Sequence, residues 1–173
     1  MPITKYDGRT AAKQIAGNYV AAFLPAVADP TLKSVTTAEA NATTAYDITC
    51  SIRGIGVTST PNMETDQFLC DVDEVETLRS MSHSMDTILV QTGDPQVTNA
   101  FVDSLVKGSV RYLVLREGKA SSVALATGDK VQVVKVRINF VKPAAVTAST
   151  SGKFETEVMV SVEQYEPYAT IAA

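Results

Sequence analysis

A chain of 173 residues, 45% hydrophobic and 20% charged, is long enough for one domain with its own core, and this composition excludes wholesale disorder. Its formal charge of -4 argues against a protein that grips nucleic acid, because such domains concentrate Lys and Arg on a basic face. The start of the chain lacks the residue order of a secretory signal. The longest weakly polar run, Tyr19 to Ala28, is interrupted by Pro25 and too short to span a bilayer. We therefore expect a protein made and kept in a cytoplasm, with no membrane partner.

The first 43 residues differ in composition from the rest of the chain. They carry three apolar side chains at helical spacing, which Pro25 then interrupts, and they lead into a run of small, mostly polar residues at 36–45. Such a segment has little apolar surface of its own to bury. We predict an N-terminal arm over residues 1–43, helical or extended, followed by a single domain over residues 44–173.

The first clear strand of that domain is predicted over residues 45–53. Side chains on its apolar face, by alternation, are Tyr46, Ile48, Cys50 and Ile52. Cys50 and Cys70 show neither CxxC spacing nor a neighbouring cluster of metal ligands. We interpret both as small buried side chains in a reducing compartment.

A polar connection through Pro61 is predicted to lead to a short strand near residues 67–72 and a longer strand over 78–90. His83, the single histidine of the chain, alternates with serines in this second strand. Because no triad can be built around one histidine without a positioned partner, we predict a partly exposed strand residue and no general base.

The same region is acidic, and it has no basic residue between Arg53 and Arg79. The acidic residues are Glu64, Asp66, Asp71, Asp73, Glu74 and Glu76. The pair Asp71 and Asp73 resembles a metal-binding DxD motif, but the glycine turn and the further oxygen ligands of a calcium loop are missing. We predict no metal here, and a solvated acidic face is the simplest interpretation.

A helix is predicted over residues 95–107. Asp94 suits the N-cap, Pro95 suits the first helical position, and Gly108 suits the position just past the end. The apolar side chains on its inner side are Val97, Ala100, Phe101 and Leu105. This spacing indicates that the helix lies on a sheet.

Strands predicted at 109–116 and 123–126 precede a terminal hairpin, whose two strands alternate with a period of two. Its first strand carries Lys135, Arg137 and Asn139 on the polar face, and its second strand carries Glu155, Glu157 and Ser161 there. We predict an antiparallel pair in which these bases lie opposite these acids. The loop between the strands, 143–152, consists of small residues.

The order of elements resembles the major tail tube protein of long-tailed bacteriophages, particularly those that infect actinobacteria. The resemblance rests on the Asp-Pro helix start, the strand RYLVLREG at 111–118, the phrase ATGDKVQVVKVRI at 126–138 and the closing alternating strand. It covers residues 94–166 and implies an antiparallel β-sandwich flanked by one short helix, with an extended N-terminal arm. It also implies a structural virion protein of the tail, made in the bacterial host, with no enzymatic activity, cofactor or metal.

For assembly, the resemblance implies hexameric rings that stack into a tube, with the arm and long loops in contact between rings. The implied partners are further copies of the chain, the tape-measure protein, the tail tip and tail terminator proteins, and DNA in transient, non-specific passage. The polar face of the terminal hairpin then becomes a candidate lining of the lumen, and the acidic stretch becomes a candidate lumen segment or ring contact.

Three other functions remain open from the sequence. A carbohydrate- or protein-binding β-sandwich module has the same pattern of strands, although the absence of Trp argues against sugar binding. A hydrolase with an unrecognised site is disfavoured by the single His. Tube proteins of contractile tails or secretion systems share the implied architecture and are not separated by sequence.

Overall fold

The computed structural model describes residues 17–53, 55–66, 75–91, 99–144 and 154–173, and these residues are mainly β. They contain ten strands and two short helices. In chain order these are β1 (Tyr19–Leu24), β2 (Ser34–Thr36), α1 (Thr37–Ala40), β3 (Tyr46–Asp47), β4 (Ile52–Arg53), β5 (Val57–Asp66), β6 (Val75–Met85), β7 (Ile88–Gln91), α2 (Ala100–Asp103), β8 (Val110–Glu117), β9 (Lys130–Pro143) and β10 (Glu155–Ala172). The predicted mainly β fold with a short helix is confirmed, and α1 is an additional short helix.

Eight of the described strands form one sheet in the order β3-β1-β8-β9-β10-β7-β4, and β2 pairs in parallel with the end of β10. Strands β5 and β6 form a separate antiparallel pair, which we call the ribbon. Its first strand covers the region predicted as a polar connection through Pro61. The strand predicted over 78–90 is divided between β6 and β7, and the one near 67–72 lies outside the described residues.

Contacts divide the chain into two compact units. The first holds the described residues of Met1–Thr49, Leu113–Val133 and Glu166–Ala173, and the second holds those of Cys50–Tyr112 and Val134–Tyr165. Strands β8, β9 and β10 therefore contribute residues to both units. The predicted division into an arm of 1–43 and one domain of 44–173 stays a prediction.

Part of the segment predicted as an arm is a core strand of the first unit. Strand β1 pairs antiparallel with β3, and each residue from Val20 to Leu24 is at most 6% exposed. A strand buried on both faces is a continuous apolar run with no period of two, so its pattern does not distinguish it from a buried helix. Contrary to the expectation that this segment has little apolar surface to bury, Val20 to Leu24 belong to the core.

A buried ion pair organises the loop between β8 and β9 in the first unit. Arg116 and Asp129 have side chains 1% exposed and are 3.0 Å apart, and Lys119 contacts the second carboxylate oxygen. The Arg116 guanidinium also donates to three backbone carbonyls of the loop, those of Ala120, Val123 and Ala124. The Arg116 side chain thus provides hydrogen-bond donors for backbone carbonyl groups of this loop.

The helix α2 in the second unit is shorter than predicted. Its N-cap is Asn99, whose side chain accepts from the backbone N–H groups of Phe101 and Val102, and it ends at Asp103. The predicted continuation of the helix through Asn99 and on to residue 107 is therefore corrected, and the predicted start at Asp94 lies outside the described residues. The Ser104 hydroxyl donates to the Phe101 carbonyl at 2.6 Å, which competes with further helical turns.

Gly108 does not follow the helix directly. It has a φ of 84° and donates its N–H to the Ile138 carbonyl of β9, so its left-handed conformation serves the turn into β8. Of the apolar side chains predicted on the inner side of the helix, Phe101 is 9% and Leu105 5% exposed, whereas Ala100 is exposed and Val97 lies outside the described residues.

Phe101→Ala is expected to lower the free energy of unfolding by about 3–5 kcal/mol, because it removes a large buried aromatic group. Chemical denaturation monitored by circular dichroism measures this loss. Val106→Ala is the control, since Val106 is 61% exposed and its truncation leaves no cavity. Equal stabilities for the two variants would contradict the burial of Phe101.

Asp129→Asn is expected to lower the free energy of unfolding by about 3–5 kcal/mol, because it leaves the buried Arg116 charge uncompensated. The hydrogen bond from Lys119 is the largest cause that lowers the pKa of Asp129, which falls from 3.8 to about 2 although burial opposes it. A lowered carboxyl pKa stabilises the fold above the unfolded value, and this contribution disappears as the pH falls from about 4 through 2. Urea melts between pH 7 and 2 test both statements, with Glu117→Gln on the exposed end of β8 as the control.

Candidate functional site

Charged side chains along β9 and β10 form a row, which we call the polar row, on one face of this strand pair in the second unit. Glu163 of β10 lies 3.2 Å from Lys135 and 2.5 Å from Arg137, both on β9. Lys142 lies 2.9 Å from Glu157, and the Ser161 hydroxyl is 3.3 Å from the Asn139 side-chain oxygen. Every base of β9 between Val134 and Pro143 therefore has an acidic partner on β10.

The structure corrects the predicted partners within this row. We expected Lys135 and Arg137 beside Glu155 and Glu157, whereas both bases contact Glu163. Alternation determines which face a side chain occupies, but the register between two strands depends on the length and geometry of their loop. The 143–152 loop carries no turn signal that would set that register, so alternation predicted the face and missed the partner.

Glu155 does not belong to the exposed row. It is 9% exposed and pairs in register with Gln91 of β7, at the start of β10. Alternation predicts which face of the strand Glu155 points to. It does not predict how much of the surrounding chain covers that end of β10. Phe140 and Phe154, whose positions alternate with those of the polar residues, are in contrast 48% and 49% exposed.

The carboxylate of Glu163 is held in its charged form. Burial is the largest influence and raises its pKa, but the hydrogen bonds from Lys135 and Arg137 together outweigh it, so the pKa of Glu163 lies below its usual range. The three side chains are between 24% and 49% exposed. Ion pairs between side chains this exposed contribute little to the free energy of unfolding. Their main effect is therefore on the net charge of this face.

The ribbon has two faces of different chemistry. Paired residues share a face, and a register shift between Asn62 and Met63 leaves Arg79 as an extra residue of β6. One face carries the pairs Val57–Met85, Ser59–His83, Pro61–Met81, Met63–Leu78 and Thr65–Glu76, and the other carries Thr58–Ser84, Thr60–Ser82, Asn62–Ser80 and Glu64–Thr77. The first face is largely apolar as far as Met63–Leu78 and polar at Thr65–Glu76, whereas these pairs of the second face, the hydroxyl face, carry only hydroxyl, amide and carboxylate groups.

The acidic stretch lies mainly at the far end of this ribbon. Glu64 and Asp66 end β5, Glu76 lies near the start of β6, and Arg79 forms a 2.5 Å ion pair with Glu64. The other predicted acidic residues, Asp71, Asp73 and Glu74, lie outside the described residues. Within the described ranges no three metal-binding side chains cluster.

His83 lies at the other end of the ribbon. Its Nδ1 is 2.8 Å from the Ser59 hydroxyl, and its ring meets Tyr165 of β10 edge-on at 5.3 Å. Serine, histidine and tyrosine in this arrangement attach the ribbon to the sheet of the second unit. His83 is a half-buried residue of β6, which confirms the prediction of a partly exposed strand residue.

Cys50 is exposed, in contrast to the predicted burial. The predicted strand over 45–53 is broken into β3 and β4, and Cys50 falls in the turn between them, so the alternation does not continue through it.

Over the described part of the chain, no helix is long and apolar enough to cross a membrane.

Comparisons with known proteins agree with this architecture. A family model described as phage tail tube protein matches residues 10–173. A chain of the anti-feeding prophage baseplate, whose structure was determined with six-fold symmetry, is similar in fold, with a TM-score of 0.57 and 8% identity. The similarity covers 90% of this chain and 95% of that chain. No curated protein sequence matches.

Proposed function

Because this chain belongs to the phage tail tube protein family, we propose that it is the structural subunit of a tail tube, built from hexameric rings that stack around a channel for DNA. A structural role in the phage tail follows from the family, and such a family implies no catalytic activity. The hexameric ring is supported by the six-fold symmetry of the baseplate that shares this fold. The channel is supported by the charges of the polar row.

The observation that carries the proposal is the pairing of each base of that row with an acid. A duplex carries a dense row of phosphates, and free Lys or Arg groups on a channel wall would exchange counterions for phosphate contacts and hold the DNA. In this chain Glu163 neutralises Lys135 and Arg137, and Glu157 neutralises Lys142. A wall of paired charges and hydroxyl groups stays hydrated and offers DNA no binding site.

In this proposal the polar row, with Asn139 and Ser161, faces the lumen of the tube. The acidic end of the ribbon adds negative charge at a ring contact or in the lumen, which also disfavours retention of phosphate. The tape-measure protein fills the channel before DNA does, and the tail tip and terminator proteins close the two ends. The chain is made in the host cytoplasm and resides in the virion.

We assign the tube to a long-tailed phage with a non-contractile tail, on the resemblance of residues 94–166. A tube of a contractile tail or secretion system is the second candidate, and the fold shared with a prophage baseplate favours it. A carbohydrate- or protein-binding module would carry an unpaired polar or aromatic site instead of a neutralised row.

Purified protein is expected to form rings or tubes as its concentration rises, because repeated contacts between copies make assembly cooperative. Light scattering and negative-stain electron microscopy across a concentration series detect them. Tubes about as wide as the tail, with six-fold end views, would support the ring. A strict monomer at all concentrations, even with isolated tail tips as seeds, would contradict the tube.

Glu163→Lys is expected to give tails of normal length that release their genome several-fold more slowly. The substitution leaves Lys135 and Arg137 without their acid and adds a third base at each copy around the channel. DNA release triggered in vitro and followed with a fluorescent dye measures the rate, and higher salt is expected to restore it. Glu117→Lys makes the same charge change on the exposed end of β8, and is expected to leave release unchanged.

The two variants together separate three locations for the polar row. Normal tails with unchanged release in Glu163→Lys would place the polar row on the outside of the tube. A failure of Glu163→Lys to assemble, when Glu117→Lys assembles, would place the row at a contact between subunits.

A further inference from the structure

A groove of about 350 Å³ lies over one face of β1 in the first unit. Val20 and Ala22, two residues apart on this strand, form its floor. Residues between 40 and 47, from the end of α1 to β3, form one wall. Residues 121–125 of the loop between β8 and β9 form the other wall. The volume lies in the range of ligand-binding sites, which is roughly 300–1,000 Å³.

Both walls of the groove are held in position by hydrogen bonds. The Asn41 amide on one wall donates to the Leu125 carbonyl on the other at 3.2 Å. The buried Arg116 guanidinium donates to the carbonyls of Val123 and Ala124, in the second wall. The groove therefore exists before anything binds to it.

The groove combines short side chains with one negative charge. Its walls contain the alanines Ala40, Ala42, Ala45 and Ala124. The charge belongs to Asp47, which is exposed and lines the same groove. Among the described residues, Asp47 accepts hydrogen bonds at Oδ1 only, from the backbone N–H and the hydroxyl of Thr49. A matching ligand is narrow, mostly apolar and positively charged at one point.

The chain enters β1 beside this groove. Ser121, a wall residue, donates its N–H to the Gly17 carbonyl at 2.8 Å, and Gly118 donates to the Asn18 carbonyl at 2.9 Å. Gly17 lies in a turn and has a φ of 76°, in the left-handed region that favours glycine. In the sheet, β1 lies between β3 and β8, so a further strand has no free edge of β1 to join. The groove is thus the nearest binding site for the residues that precede Gly17.

Residues 1–16 have the chemistry that the groove requires. They carry three bases, Lys5, Arg9 and Lys13, and one acid, although the whole chain has a formal charge of -4. Their last six residues, AAKQIA, place alanines and one isoleucine around Lys13. A single base among small apolar residues complements a single carboxylate among alanines.

We propose that the groove binds residues 11–16 of its own chain, a segment that we call the strap. In this arrangement the Lys13 ammonium group pairs with Asp47 Oδ2, and Ile15 covers Val20. The strap is joined to the groove by a single turn, which gives it an effective concentration in roughly the millimolar range or above. A strap of its own chain therefore occupies the groove in preference to one from another copy. This inference concerns the free subunit and does not depend on the tube.

The length of the chain permits this pairing. Lys13 lies four residues before Gly17, and Asp47 pairs in register with Ala22, which lies five residues after Gly17. Extended backbone advances about 3.3 Å per residue, so these positions are both about 13–17 Å from Gly17. A strap that runs back over β1 from the turn therefore brings the lysine side chain to the level of the carboxylate.

Zero-length cross-linking tests the pairing. Free subunits, diluted until light scattering detects no assembly, are treated with a water-soluble carbodiimide, which couples a carboxylate to an adjacent amine, and linked peptides are identified by mass spectrometry. We expect the Lys13–Asp47 link to be at least tenfold more abundant than a Lys5–Asp47 link. Comparable yields, or no link from Lys13, would overturn the proposal. Asp47→Asn is the control for the assignment of the linked carboxylate.

A mixture of isotopes distinguishes a strap of the same chain from a strap of another copy. Heavy-labelled and unlabelled subunits are mixed in equal amounts before cross-linking. We expect linked peptides whose two halves carry the same label. Mixed labels in about half of the linked peptides would identify a second copy as the source of the strap, and would overturn binding within one chain.

A matched pair of variants tests the groove without cross-linking. Ser122→Trp places a large side chain in the groove, and Thr127→Trp places the same side chain outside it in the same loop. Both positions are exposed, and circular dichroism verifies that both variants fold. Trypsin is expected to cleave after Lys13 at least tenfold faster in Ser122→Trp than in the wild type, with Thr127→Trp unchanged. Equal cleavage rates in all three proteins would show that the groove does not hold the strap.

Discussion

The pairing of β9 with β10 is the interaction on which most of this structure depends. These strands occupy the middle of the eight-stranded sheet, and both contribute residues to each compact unit. Their apolar face supplies core residues such as Val136, Ile138 and Val158. Their other face carries the polar row. The same backbone ladder therefore stabilises the core and sets which charges meet, so stability and surface charge are determined together.

Period-two alternation made one part of this arrangement predictable. It assigned Lys135 and Arg137 to the polar face, and Val134, Val136 and Ile138 between and beside them are buried, because side-chain direction is a local property of a strand. The acidic partner of these bases was not predictable, since register depends on a loop without a turn signal. The burial of Glu155 was missed for a related reason, because burial depends on chain segments that are distant in sequence.

Other differences between prediction and structure occur where the local sequence pattern does not determine the element that forms. The helix was predicted to continue to residue 107, but it ends at Asp103, where the Ser104 hydroxyl bonds to the Phe101 carbonyl, a competition that residue spacing does not show. The polar residues of β5 suggested a connection, because its apolar side chains are separated by serine and threonine and include a proline. Its amphipathic character emerges only when β5 is paired with β6, since neither strand alone has enough apolar residues to show it.

The irregularity at Arg79 has a consequence for how this segment tolerates evolutionary change. With regular pairing, Leu78 would lie opposite Glu64 on the hydroxyl face, and Arg79 would lie opposite Met63 among the apolar residues. The single additional residue places Leu78 opposite Met63, so that the apolar face continues past the irregularity. Many substitutions on the hydroxyl face leave this arrangement intact, whereas the loss of Leu78 would bring Thr77 opposite Met63 on the apolar face. The length of this segment is therefore under stronger constraint than its composition.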